Sequence, residues 1–275
     1  MGTIENKVCV SGVVEKNNER KLFGLSGGKN IVYRLITLTV ALGIWQLAAM
    51  SYNSDLLMPP PWKTAKAFYF AVQNPELLAN LLLTMKRVGL GFLYALLIGA
   101  PLGFAMGYSK TVYKLLDPII NPIRQIPIMA WIPLTIVWFG LGDGPTLFLI
   151  TMVGVFPILI NTIAGVQGIS PDYYNAARSM RAGPWSIFIH VIVPASLPSI
   201  LTGVKIAVGL GWMSVICAEF IATSSGFGYY MVEAQSLMET DLLLALMIIA
   251  AVVGYSIDRL LGIINKTLTG WRYVK

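Results

Sequence analysis

Residues 167–194 read QGISPDYYNAARSMRAGPWSIFIHVIVP and connect two long apolar segments. Ser170 is a typical N-cap residue, and Pro171 suits the first turn of a helix. The run from Tyr173 to Met180 contains good helix formers, and Gly183-Pro184 then breaks the helix. The pattern predicts a short surface helix, a turn and a return into an apolar segment. Its exposed aromatic residues favour docking by a partner, although a helix lying on lipid would have a similar composition.

The composition around this connection is that of a membrane protein. Of 275 residues, 56% are hydrophobic and 12% are charged, whereas a soluble domain has about 25% charged residues. This excludes a soluble domain, a disordered chain, a coiled coil and a disulfide-rich secreted fold. The net charge of +7 is typical of cytoplasmic loops and does not indicate nucleic-acid binding. Cys9 and Cys217 lie in different environments and have no metal-ligand spacing, so neither a disulfide nor a metal site is expected.

Six apolar segments are candidates for membrane-spanning helices, each of which needs about 20 residues to cross the bilayer. They lie at about 31–50, 88–108, 126–141, 145–166, 197–221 and 242–257. The third is short and contains Pro127 and Pro133, which free backbone carbonyls that neighbouring helices must satisfy. The sequence therefore predicts an all-α integral membrane protein with six spans.

Basic residues predict the orientation, because cytoplasmic loops are enriched in Lys and Arg. With the N-terminus inside, the outer loops hold only Lys63, Lys66, Lys86 and Arg87. Both termini are then cytoplasmic. The predicted domains are a cytoplasmic tail at 1–30, a transmembrane domain at 31–265 with a surface helix at about 171–186, and a C-terminal tail at 266–275.

Several motifs resemble those of ATP-binding-cassette (ABC) importer permeases over about residues 35 to 265. The Asn175-Ala-Ala177 run followed by Val193-Pro194 is similar to the conserved cytoplasmic loop of that family. Other motifs resemble its nitrate/sulfonate/taurine branch: Leu57-Met-Pro-Pro60, Arg87-Val-Gly-Leu-Gly-Phe92, Pro101-Leu-Gly103, Arg124-Gln-Ile-Pro127, Trp138-Phe-Gly140, Glu219-Phe220 and Ser225-Gly-Phe-Gly228. Two positions depart from the pattern: Asn175 stands where the family usually has Glu, and Arg181 where it usually has Gly.

The resemblance implies the type I importer permease fold in the bacterial cytoplasmic membrane. It implies that the loop forms a coupling helix that docks on an ATPase subunit. The matching coupling residues are Asp172, Tyr173, Tyr174, Asn175, Ala176, Ala177, Arg178, Met180, Arg181, Gly183 and Trp185. The implied partners are a second copy of the permease, two ABC ATPases, a periplasmic or lipid-anchored binding protein and membrane lipid, with no nucleic acid. No phosphate-binding loop occurs in this sequence, so ATP and Mg are expected in the partner ATPase and no catalytic residue in this chain.

Five residues are candidates for the translocation pathway: Lys205, Gly209, Trp212, Met213 and Glu219. Lys205 is a basic residue within a span, where it would attract an anion or extend to the inner interface. Glu219 would contact substrate or, as a structural group, bond to the loop that follows it.

Three glycines recur every four residues in the second span: Gly99, Gly103 and Gly107. Their spacing suits close helix packing, either inside the subunit or on a face toward the pore or a partner.

The resemblance implies a small anion of the nitrate, sulfonate or taurine class as substrate, carried by alternating access. An uncharged or heterocyclic nutrient is the alternative within the same family. A channel or secondary transporter that works without ATP is an alternative class, for which intramembrane ionisable pairs or inverted repeats would be typical.

Overall fold

The computed structural model describes residues 27–269. Most of the predicted N-terminal tail, including Cys9, and residues 270–275 lie outside the described residues. The chain divides into two units between Lys63 and Thr64. Within 27–269 all the regular structure is helical and there is no strand, which confirms the all-α prediction.

Eleven α-helices occur in the described range. The first six are α1 Gly27–Tyr52, α2 Pro61–Gln73, α3 Pro75–Tyr108, α4 Lys110–Ile123, α5 Ile128–Phe139 and α6 Asp143–Gln167. The others are α7 Pro171–Ser179, α8 Pro184–Ile187, α9 Val193–Ala222, α10 Phe227–Ser236 and α11 Thr240–Leu268. A π-helical turn, Phe188–Ile192, joins α8 to α9.

Five helical stretches in the described range are long and apolar enough to cross a membrane, and a bent pair makes a sixth if it counts as one span. The bent pair is α4 and α5, which meet at 94°. The sequence predicted a single span at 126–141, and the structure corrects this prediction. The helix found there, α5, has only 12 residues, or about 18 Å of helix, which is too short to cross a bilayer. Pro127, which cannot donate a backbone hydrogen bond, stands at the N-cap of α5 and marks the break.

The second predicted span also needs correction at its start. It was placed at 88–108 with Lys86 and Arg87 in an outer loop, but α3 begins at Pro75. The Asn74 side chain accepts a hydrogen bond from the Glu76 amide at 2.9 Å, and Pro75 occupies the first turn, so the helix is capped well before the basic pair. Arg87 is therefore inside a helix and is buried.

The first unit contains α1, a membrane-length helix. Its apolar side chains, such as Ile44 and Leu47, are exposed, as expected for a helix facing lipid. The Trp45 indole donates to the Pro59 carbonyl at 3.1 Å, and Lys63 pairs with Asp55.

The second unit is built on α3, α6 and α9: α6 packs extensively against both α3 and α9, whereas α3 and α9 contact each other much less. Gly99, Gly103 and Gly107 of α3 lie at the contact with α6. A Cβ on Gly103 would come within 2.6 Å of the Thr162 Cβ, and one on Gly107 within 2.8 Å of the Val166 Cβ. A Cβ on Gly99 would lie 2.9 Å from the Val155 carbonyl oxygen. The absence of side chains there lets the two backbones approach closely.

Candidate functional site

The connection between α6 and α9, residues 168–192, begins with a well-capped helix. The Ser170 hydroxyl accepts a hydrogen bond from the Asp172 amide at 3.3 Å, and Pro171 occupies the first turn of α7. Asp172 in the first turn and Arg178 in the last both complement the helix dipole. The sequence-predicted surface helix therefore exists, although it ends at Ser179 and the short α8 follows after a turn.

The turn that ends α7 is a Schellman motif built on Arg181. The Arg181 amide donates to the Arg178 carbonyl at 2.9 Å, and the Ala182 amide to the Ala177 carbonyl at 3.1 Å. Arg181 has φ +58°, the left-handed conformation that glycine adopts most easily. The position where the resembling family usually has Gly thus keeps the glycine conformation, at a cost of about 1–2 kcal/mol.

One face of α7 packs onto the bundle. Tyr174 and Ala177 are half-buried against a cluster that contains Val166, Ile187 and Ile192, from α6, α8 and the π-helical turn. Partial burial raises the pKa of the Tyr174 hydroxyl, with a smaller contribution from Tyr108. These contacts tie the short helix to the ends of two long spans.

The connection also carries large exposed side chains. Tyr173 is 64% exposed, Met180 83% and Trp185 72%. Trp185 stacks on Phe188 with ring centroids 5.5 Å apart, so it projects from a fixed base. The remaining sequence-predicted coupling residues are also exposed: Asp172, Asn175, Ala176, Arg178, Arg181 and Gly183.

A buried polar cluster lies at the opposite ends of α6 and α9 and centres on Arg87. The Arg87 guanidinium pairs with Glu219 at 2.7 Å and with Asp143 at 2.6 Å. It also donates to the Ser225 carbonyl at 2.8 Å. Arg87 and Glu219 are buried, whereas Asp143 is largely exposed. The cluster joins α3, the start of α6, the end of α9 and the loop before α10.

The Glu219 carboxylate is fully satisfied by hydrogen bonds. It accepts from Thr84 at 2.8 Å and from the Gly228 amide at 2.8 Å, in addition to Arg87. The Asn80 side chain accepts from the Gly226 amide at 2.8 Å. Glu219 therefore bonds to the segment that follows α9, the structural alternative considered for it from sequence.

The other four sequence-predicted pathway residues come together. Lys205, Gly209, Trp212 and Met213 line a cavity of about 390 Å³ between α9 and α11. The Lys205 ammonium lies 3.0 Å from Asp258 of α11, and both side chains are partly exposed. Glu219 is not part of this cavity.

A second cavity, of about 470 Å³, lies where the bend between α4 and α5 meets α6 and α9. Its walls are mostly apolar, and its polar side chains are Arg124, Asn161 and Ser214. Arg124 follows the last residue of α4. Arg124 is not recognisable from the sequence as a pathway residue, because a cation beside a predicted span end resembles any cytoplasmic loop residue.

The sequence profile described as "Binding-protein-dependent transport system inner membrane component" matches residues 95–270. The chain belongs to this family. It is thus a multi-pass permease of the inner membrane and the permease subunit of an ABC importer.

Named relatives align with most of the permease sequence. A protein of Methanocaldococcus jannaschii named only as an ABC transporter permease is 38% identical, over 89% of this chain and 93% of that protein. The taurine transport system permease protein TauC of Escherichia coli is 32% identical, over 88% of this chain and 90% of its own. The nitrate import permease protein NrtB of Leptolyngbya laminosa is 31% identical, over 83% of this chain and 84% of its own.

A solved structure has the same fold. A chain of the MetNI methionine ABC transporter in inward-facing conformations superposes with a TM-score of 0.62 and 18% identity, over 70% of this permease and 96% of that chain. This confirms the predicted type I architecture.

Proposed function

We propose that this permease works as a homodimer with two separate ABC ATPases, and that a periplasmic or lipid-anchored binding protein delivers its substrate. The α6–α9 connection supports this proposal best. It exposes Tyr173, Met180 and Trp185, while Tyr174 and Ala177 of the same connection pack on the ends of two long spans. A partner that moves α7 therefore moves α6 and α9 as well.

Transport follows an alternating-access cycle. ATP binding closes the ATPase dimer and draws the two connections together, so that the spans rock and the pathway opens outward. Hydrolysis returns the pathway to the inward-facing state. ATP and Mg are bound by the ATPases. The permease itself forms the wall of the translocation pathway, which moves during the cycle, and it carries out no covalent chemistry. Residues 31–265 form the transmembrane domain, and α7, the 1–30 tail and the 266–275 tail lie on the cytoplasmic side.

The cargo is a small anion of the nitrate, sulfonate or taurine class. Relatives named for taurine and nitrate support this class, and both compounds carry their negative charge on several equivalent oxygens. Such groups match the planar donor arrangement of a guanidinium.

Co-purification from the native host tests the assembly. Tagged permease is expected to bring down an ATPase in equal amount, and the complex should hydrolyse ATP faster when loaded binding protein is added. Uptake into proteoliposomes of nitrate, taurine and a neutral nucleoside then identifies the cargo class. Uptake of the nucleoside alone would replace the anion by an uncharged nutrient, and transport by the permease without any ATPase would overturn the importer mechanism.

A further inference from the structure

We propose that Arg124, at the bend between α4 and α5, is the cation that contacts the transported anion. The inference rests on the proposed anion import. It assigns the contact to the cavity formed by the bend, α6 and α9 rather than to the cavity around Lys205 that the sequence favoured.

Lys205 and Arg124 differ in whether an acidic side chain compensates their positive charge. Lys205 is paired with Asp258 at 3.0 Å, so its field is largely cancelled for an approaching anion. Arg124 has no ion pair among residues 27–269. The acid nearest to it along α4, Asp117, instead accepts a hydrogen bond from Asn121 at 2.7 Å. Arg124 is exposed at the end of α4 and lines the cavity, so its charge is available to an anion that enters the cavity.

The cavity has the form of a pathway section rather than a closed pocket. It is lined on α6 from Met152 to Asn161 and on α9 from Ile206 to Ser214. At 1.5 Å per residue these stretches extend for about 12–14 Å along the spans, a large part of the roughly 30 Å hydrocarbon core. It is an open groove, which the second copy of the proposed homodimer would cover.

The lining suits an oxyanion with a small apolar part. Arg124 can offer two parallel N–H donors to the oxygens of nitrate or a sulfonate. Ser214, which also lines the cavity, can add a hydroxyl donor. Ile160, Leu210 and Phe156 supply apolar walls, which strengthen the charge interaction by excluding water and accommodate the short carbon chain of a sulfonate.

The bend explains why a short broken helix is retained here. A straight span at 110–139 would carry Arg124 in the middle of a continuous helix. The 94° bend instead places it at a helix end that lines the cavity. Discontinuous helices that line a cavity are a common way to build substrate sites in transporters.

The test uses the intact complex of permease, ATPases and binding protein in proteoliposomes, with nitrate and taurine as probes. Arg124→Gln is expected to lower anion uptake roughly tenfold to a hundredfold, as for loss of a charged hydrogen bond, with ATP hydrolysis still stimulated by the loaded binding protein. Arg124→Lys should recover part of the uptake. The matched control, Lys114→Gln, removes an exposed cation of α4 that does not line the cavity, and it should stay within about twofold of the unmodified complex. Unchanged uptake by Arg124→Gln, or a larger loss in the control, would overturn the assignment.

A second measurement leaves Arg124 unchanged and tests whether the anion occupies the cavity that Arg124 lines, even if the Arg124 variants do not assemble. Ser214→Cys is introduced after Cys9 and Cys217 are replaced by Ser, and labelling by a water-soluble methanethiosulfonate is followed during turnover. Nitrate or taurine should slow labelling at this position. Labelling that is independent of the anion, in a complex that takes the anion up, would refute the site. A complex that takes up only a neutral nutrient would instead refute the anion class of the proposed function.

Discussion

The Arg87 cluster and the α6–α9 connection lie at opposite ends of α6 and α9, and they differ in how their side chains are satisfied. At the Arg87 end, buried charges and amides are all paired within the chain. At the connection, large side chains such as Met180 and Trp185 are mostly uncovered by the rest of residues 27–269. We infer that the Arg87 cluster holds α3, α6 and α9 together. We infer that the α6–α9 connection is a docking surface through which a partner moves the helices.

This comparison predicts where a substitution lowers the free energy of unfolding and where it lowers transport alone. The largest effect is expected at Arg87. Arg87→Met leaves the buried Glu219 carboxylate without its cation, which should cost about 3–5 kcal/mol. Thermal unfolding in detergent should show a clearly lower Tm. Adding Glu219→Gln, which removes the orphaned charge, should restore part of the loss.

An Arg87→Met permease with an unchanged Tm would mean that the cluster does not hold the three helices together. A double variant less stable than Arg87→Met would indicate that Glu219 is needed for its hydrogen bonds to Thr84 and Gly228 rather than for its charge.

The next effect is expected at Gly226, in the loop that closes the Arg87 cluster. Gly226 has φ +110°, and a Cβ there would overlap the Glu219 carboxylate and the Arg87 guanidinium. Gly226→Ala should therefore cost about 2–3 kcal/mol through strain and displacement of the ion pair. Gly262→Ala on α11 is the matched control, because nothing lies within 4 Å of its added Cβ; it should be neutral or slightly stabilising. Equal Tm values for the two variants would argue against a tightly closed loop.

The sequence predicted the connection better than it predicted the Arg87 cluster, for a physical reason. Caps and turns such as Ser170, Pro171 and Gly183 act within a few residues, so their pattern is visible in a single chain. Arg87 and Glu219 are 132 positions apart. Next to Lys86, Arg87 looked like a loop residue, and only the packing of α3 against α9 shows that its charge is compensated.

The same limit applies to the bend and to Lys205. Apolar content predicts a span at 126–141, but it does not indicate the direction in which the preceding helix runs. That direction is set by the break between α4 and α5. Lys205 was recognised as a charge within a span, but its partner Asp258 is on another helix. Periodicity and composition identify helices, whereas the pairing of charges across helices depends on tertiary structure.

A smaller effect, of opposite sign, is expected at Arg181. Arg181→Gly removes the side chain from a left-handed position and should stabilise the permease by about 1 kcal/mol. Arg181→Ala keeps the strain and removes only the charge, so it should stay within about 0.5 kcal/mol of the unmodified protein. The Tm values of the two variants separate conformation from charge. A Gly variant no more stable than the Ala variant would mean that the turn carries no strain.

The smallest effect on stability, with a clear effect on function, is expected at Tyr173. Tyr173 is 64% exposed and its neighbour Tyr174 is half-buried on the bundle. Tyr173→Ala should change the free energy of unfolding by less than about 0.5 kcal/mol but weaken ATPase association about tenfold or more, as for an aromatic anchor at an interface. Tyr174→Ala should instead lower the Tm, because it removes packing beneath α7. Binding of purified ATPase to the permease in detergent, measured beside thermal unfolding, distinguishes the two. If both tyrosines affected stability and binding in the same proportion, α7 would be a packed element of the fold, and the difference between the two ends of the bundle would be one of degree rather than of role.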